Sequence, residues 1–491
     1  HVYSEYYTLQ SRDPERPLPQ LVLATMENMV RPVTITTVTT LCGFLGIYAA
    51  AFMPPFKYFG LFAALGVFIA WVYTMVFLPA AIVLSKSRAS KRFARNATGY
   101  NLDALGNALR WLGDLSLHHP RSIVVLWIAM SICGVYAASK IVIDEDRIDL
   151  FHPDEPVYQA DKLINGHMEG TNVLHIVVES DRAEGLLDPH NLEKMESLQA
   201  YAQSLPNVGG ANSIVDHLKQ MNRALLNGRP DEYRIPESSE SVAQYFLIYS
   251  AMADPTDLEE EVDYDYQNAI IRITLQSGSY LKIKPVVEGL QEYLDSQFNS
   301  DSLRGTLSGR VSLNYHWFKD LGLSHFLGLA AALLLVWGVS ALLLRSIIAS
   351  IFALIPVISS VLFVYASMVI LGMTLGIGTS MFAAVAIGLG VDFAIHTLDR
   401  MRTLYAQFNG DAAQVFAQLY QTTARALFVN FLAIASGFGV LISSKIVSLN
   451  SFGSIVVLAI TTSFISSLTL LPALVQLFRP DFILAPERSG R

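Results

Sequence analysis

The chain has 491 residues, 52% hydrophobic and only 15% charged, so its long apolar segments need a membrane. The net charge of −8 is the sum of acidic and basic stretches segregated along the chain, so it points to no partner by itself. Cys42 and Cys133 both lie in apolar helical runs, which excludes a disulfide framework. A phosphate-binding GxxxxGK loop, HExxH and CxxC are all absent, so no ATP hydrolysis, structural zinc or cofactor is expected.

Residues 1–30 are polar and amphipathic and read as a cytoplasmic connection. Pro32–Phe52 is a first apolar span. Its Thr34, Thr36, Thr37, Thr39 and Thr40 can return hydroxyls to the helix backbone, and serve either packing or a polar path. Pro54-Pro55 makes a turn, and Tyr58–Leu84 is a second span. Each is long enough to cross roughly 30 Å of hydrocarbon. Ser85–Arg121 is basic, with Lys86, Arg88, Lys91, Arg92, Arg95, Arg110 and Arg121 against Asp103 and Asp114, which assigns it to the cytoplasm. Within it Leu102, Leu105, Leu109 and Leu112 recur at helical spacing beside Trp111. That helix lies either on the membrane surface or on the protein's own cytoplasmic face. Ser122–Ile141 is a third span.

Residues 142–320 form an acidic insert. Asn172–Ser180 is a strand by its β-branched content, and Asp188-Pro189 opens a helix running to Leu205. A strand at Ala269–Gln276, a helix at Ile283–Phe298 and a strand at Gly305–Tyr315 follow. Two such βαβ-like units suggest a ferredoxin-like split fold. Helices are expected at Ser213–Leu226 and Ser238–Ala253, with the acidic run Asp257–Asp265 as a solvated face or a cation site. Five more spans follow at His325–Leu344, Ile347–Leu371, Leu375–Thr397, Ala424–Ser443 and Ser451–Phe478. The arginine-bearing stretches Asp399–Arg425 and beyond Arg479 belong in the cytoplasm, which puts the acidic insert outside it.

The chemistry concentrates in AIGLGVDFAIHTLDRMR, residues 386–402. Gly388 and Gly390 allow close helix packing. Asp392 then stands inside an apolar span, where an ionisable group costs roughly 2.5–3.5 kcal/mol and marks a functional position. It is a proton carrier or a group that bonds a polar side chain on another helix. His396, one turn on and on the same face, suits a proton relay.

Four motifs recur: His1 with His396, Gly43-Phe44 with Gly437-Phe438, Phe59-Gly60 with Phe452-Gly453, and Leu78-Pro79-Ala80 with Leu471-Pro472-Ala473. Their offsets of 395, 394, 393 and 393 residues indicate a tandem pseudo-repeat. His1 is then the counterpart of His396, and the arithmetic implies a longer protein with roughly 390 further residues ahead of it. Asn430 aligns with Thr36, and both are candidates to link Asp392 to water.

GLGVDFAIH at Gly388–His396, TTVTTLCGF at Thr36–Phe44 with NFLAIASGF at Asn430–Phe438, RALLNGRPDEYRIPES at Arg223–Ser238 and VDYDYQNAIIRI at Val262–Ile273 together resemble the resistance–nodulation–division (RND) superfamily. The resemblance is to its MMPL-type exporter branch, which includes hopanoid exporters of bacterial inner membranes. It implies an α-helical polytopic membrane protein with an α+β extracytoplasmic porter domain. Residues 1–84 would end a first membrane repeat, 85–121 form a cytoplasmic linker, and 122–141 a membrane helix. Residues 142–320 would be the periplasmic porter domain, 321–478 five helices of the second repeat, and 479–491 a cytoplasmic tail. The resemblance also implies proton-driven export of a lipid or other hydrophobic molecule, with Asp392 on the segment matching the tenth helix of such proteins. Some relatives place Tyr after this Asp, where this chain has Phe393, and drug-efflux relatives use a lysine that Leu375–Thr397 lacks. Membrane lipids, a hydrophobic substrate and periplasmic or membrane proteins are the expected partners, with oligomerisation open and no nucleic acid. The rival reading is a lipid-sensing or accessory subunit that binds without pumping. An enzyme is not expected, because no nucleophile–base pair sits at a recognisable spacing.

Overall fold

The computed structural model describes residues 2–13, 15–85, 104–252 and 259–484. Lys86, Arg88, Lys91, Arg92, Arg95, Leu102 and His1 lie outside the described residues. The chain divides into two units, His1–Val142 with Leu321–Arg491, and Ile143–Asp320.

The first unit is helical. Its helices are α1 (Val2–Arg12), α2 (Leu18–Ala50), α3 (Pro54–Val72), α4 (Leu78–Ser85), α5 (Ala104–His118) and α6 (Pro120–Ala138). A π-helical turn at Tyr73–Phe77 joins α3 to α4. Eight segments are long and apolar enough to cross a membrane among the described residues, matching the eight expected spans in number. The first runs from Leu18, earlier than the expected Pro32, because Pro32 is carried inside α2. Proline is tolerated there when neighbouring helices compensate for the lost backbone bond. Helix α5 packs on the protein itself. Its Leu109, Gly113 and Ser116 are buried, and a side chain at Gly113 would strike the Tyr420 ring, while Trp111 is exposed.

The second unit contains α7 (Pro156–His167), β1 (Asn172–Ser180), α8 (Pro189–Ser204), β2 (Val208–Asn212), α9 (Ile214–Leu225), α10 (Ser239–Met252), β3 (Asn268–Leu275), α11 (Tyr280–Tyr293) and β4 (Leu303–Ser308). The strand order is β2-β3-β1-β4, and every pairing is antiparallel. Register places Leu174 opposite Ile273 and Ile176 opposite Ile271, so alternate residues of both strands share one buried face. Leu192, Met195 and Leu198 of α8 and Ile283, Val286 and Leu290 of α11 are likewise buried. Asp188 caps α8 by accepting from the His190 amide at 3.0 Å, with Pro189 in the first helical position.

Two expectations are corrected here. Strand β2 was not anticipated. The strand placed at Gly305–Tyr315 is Leu303–Ser308 and ends at Gly309, whose φ of +85° turns the chain into a helix. In the acidic run, Glu261 pairs with His217 at 3.4 Å, and Asp263 closes a turn by accepting from the Gln267 and Asn268 amides. Among the described residues no cluster of three metal-ligating side chains occurs.

The chain re-enters the first unit through α12 (Gly309–Leu344), followed by α13 (Ile347–Ile370) and a single turn, α14 (Ile377–Ser380). Then come α15 (Phe382–Gln407), α16 (Ala412–Gln421), α17 (Thr423–Gly439) and α18 (Val447–Phe478). Helix α15 is surrounded by α2, α13 and α18, which places its middle at the centre of this unit.

Candidate functional site

Small residues decide how closely these helices approach. A Cβ on Gly43 of α2 would lie 3.3 Å from the Gly388 Cα of α15. On the other side of α15, the Ser463 hydroxyl of α18 donates to the Gly390 carbonyl at 3.1 Å. Gly388 therefore meets α2 and Gly390 meets α18. Close backbone approach of this kind is the main source of helix association in lipid, where no hydrophobic gain remains.

Asp392 lies one turn beyond Gly388. It lies within Ile377–Gln407, one of the segments long and apolar enough to cross a membrane. Its side chain is half-buried, and its Oδ1 lies 3.2 Å from the Thr40 hydroxyl of α2. The same hydroxyl is 2.7 Å from the Gly388 carbonyl and 2.9 Å from the Thr36 carbonyl. A hydroxyl has one hydrogen to donate and lone pairs to accept with. Thr40 can therefore serve either protonation state of Asp392. It donates to the carboxylate, or it accepts from the carboxylic acid while turning its own hydrogen to Gly388 or Thr36.

The other candidates fall into place around this pair. Thr36 is buried, but its hydroxyl donates to Val33 at 3.1 Å, and only its carbonyl joins Thr40. The hydroxyl that reaches the carboxylate belongs to Thr40, one turn from Thr36. His396 is half-buried one turn further along α15 and engages a neighbour of its own. Asn430 is half-buried on α17 and is not hydrogen-bonded to Asp392. His1 lies outside the described residues. Phe393 points away from Thr40 to meet Phe464 edge-on, with ring centres 5.7 Å apart.

Two further features were not anticipated. His325 of α12 is buried, with Nε2 2.6 Å from the Tyr365 hydroxyl of α13. A histidine inside an apolar run was the available signal, and its pairing with Tyr365 depends on contacts between two helices. An apolar groove of about 880 Å³ lies between α6, α13 and α18, lined by residues including Trp127, Tyr136, Ile355, Leu470 and Phe478. Its wall is crossed by a Ser131–Ser359 hydrogen bond of 3.3 Å.

Eight segments among the described residues that are long and apolar enough to cross a membrane, beside a separate α/β unit, define a multi-pass membrane protein. The MMPL family matches residues 187–490, more than half of the sequence, and the chain belongs to that family as an RND-type protein. Residues 5–100 match the sterol-sensing domain of SREBP cleavage-activation. Among curated proteins, membrane protein MJ1562 of Methanocaldococcus jannaschii is 19% identical over 76% of this chain and 94% of its own length. Among solved structures, the hedgehog release protein Disp from the water bear Hypsibius dujardini has a TM-score of 0.61 at 14% identity. That match covers 98% of this chain and 61% of Disp, so the likeness is one of fold over part of a longer protein.

Proposed function

We propose that this protein is a proton-driven exporter of a lipid or similarly hydrophobic molecule, with Asp392 as the group that takes up and releases the proton. The carrying observation is the Thr40–Asp392 contact inside a segment long and apolar enough to span a membrane. Low dielectric disfavours an isolated carboxylate, and a hydroxyl able to donate or accept lets both of its forms persist. Exchange between the two forms repacks α2 against α15 through Gly43 and Gly388, a small shift of the kind that biases two-state helix bundles. His396 and Asn430 act as outer members of the relay, reaching Asp392 through water. The 880 Å³ groove supports a hydrophobic cargo.

The strand order β2-β3-β1-β4, with α8 and α11 as the crossovers, supports a ferredoxin-like porter domain on the extracytoplasmic side of a bacterial inner membrane. The tandem repeat gains support from geometry. Phe44 meets Phe59 edge-on at 6.1 Å and 77°, and Phe438 meets Phe452 edge-on at 6.1 Å and 76°. A Cβ on Gly60 would lie 2.7 Å from the Phe44 carbonyl, and one on Gly453 would lie 2.9 Å from the Phe438 carbonyl.

The sterol-sensing match over residues 5–100 favours a second reading, a lipid-binding subunit that does not pump. Proteoliposomes containing full-length protein and a fluorescent lipid separate the two. Gradient-dependent lipid movement that Asp392→Asn abolishes is the expected result. Equal behaviour of wild type and variant would leave the binding subunit as the better account.

A further inference from the structure

A second polar position lies in the membrane unit, near the middle of α12. A cavity of about 20 Å³, bounded by Ala51, Phe59, Ser324, His325, Ser380 and Ala384, sits between α2, α3, α12 and the α14–α15 junction. That volume holds one water molecule, provided polar groups face it. They do. The Ser324 hydroxyl is enclosed, only 2% of the residue is exposed, and it has no hydrogen-bond partner among the described residues. His325 is fixed beside it by the Tyr365 hydroxyl and by the backbone of Ser380. Among the residues bounding the cavity His325 is the titratable group, and Tyr365 is its hydrogen-bond partner behind it.

The cavity is in line with the carboxylate. Ala384, Gly388 and Asp392 follow one another at four-residue intervals, so they share one face of α15 over about 12 Å. The ring of Phe44 stands between. It is buried, it lies 3.3 Å from where a Gly388 Cβ would be, and it meets Phe59, which bounds the cavity. A cavity sized for one water on one side of an apolar ring and a proton acceptor on the other is the arrangement expected of a closed inlet.

We infer that this cavity is a hydrated inlet that delivers protons to Asp392, lined by Ser324 and His325 and closed by Phe44. The inference rests on the reading of Asp392 as the coupling residue. The proton comes from bulk water, passes through the inlet water when the Phe44 ring moves aside, and ends on a carboxylate oxygen of Asp392. No other bond is made or broken.

The test uses full-length protein reconstituted with a pH-sensitive dye inside the vesicles. Under an imposed gradient, Phe44→Ala is expected to raise proton flux severalfold, and adding Asp392→Asn is expected to remove the increase. Ser324→Val, which fills the cavity and removes its enclosed hydroxyl, is expected to lower the flux severalfold. The Ser324→Val measurement stands even where Phe44→Ala fails to fold. Unchanged flux in Phe44→Ala, an increase that survives Asp392→Asn, or unchanged flux in Ser324→Val overturns the inlet. If any of these is seen while Asp392→Asn alone still blocks transport, the coupling reading survives and only the inlet falls. If Asp392→Asn alone changes nothing, both fall.

Discussion

One hydroxyl hydrogen governs how Asp392 is held, because Thr40 faces three acceptors with a single proton. Thr40→Val keeps the shape and removes that hydrogen. A hydrogen bond to a charged group is worth about 1.5–3 kcal/mol, so gradient-driven transport is expected to fall by about tenfold or more, with Thr40→Ser close to wild type. Parallel transport assays on the two variants decide it. The aspartate was legible in the sequence because a charge in an apolar run stands out, whereas Thr40 was not. Five threonines crowd residues 34–40 of α2, and the rotation of that helix selects which one faces α15. Residue-scale electrostatics also act in the second unit. Hydrogen bonding to Glu261 holds the His217 imidazole above its ordinary value, against the opposing effect of burial. A raised value means the pair stabilises the fold fully below about pH 6.5 and loses that stabilisation as pH rises through the elevated value. The pair is half exposed, so the effect is below about 1 kcal/mol. Thermal melts of wild type and His217→Gln should differ at pH 5.5 and converge at pH 8.5.

At the scale of elements, hydropathy located the eight spans, because roughly 20 apolar residues carry a strong signal. Strand β2 escaped notice for the opposite reason. Its sequence, VGGAN, holds two glycines and an asparagine, all poor strand formers, and it is held in place by pairing with β3. Helix ends were the other loss: Ser308 and Gly309 mark a boundary set by one backbone dihedral. Packing between elements yields a sharp expectation at Gly46, where a Cβ would fall 2.7 Å from the Ala332 backbone of α12. Gly46→Val is expected to force α2 from α12, costing about 1–3 kcal/mol or more. Gly66, with nothing within 4 Å of its would-be Cβ, should accept alanine without loss. Melting temperatures of the two purified variants in one detergent give the comparison.

Across the whole molecule, the same contact is built twice, with Gly60 under the Phe44 carbonyl and Gly453 under the Phe438 carbonyl. Gly60→Ala and Gly453→Ala are each expected to lower thermal stability, because a backbone carbonyl cannot rotate away as a flexible side chain can. Stability equal to wild type in both would sink that account. Both positions ride on one polypeptide, so they share expression level, bilayer and temperature. Any gap between the two melting shifts therefore measures how far each copy has drifted in its tolerance of a single methyl group. Under the duplication reading, the protein carries its own internal control for molecular divergence, readable without an ancestor or a relative.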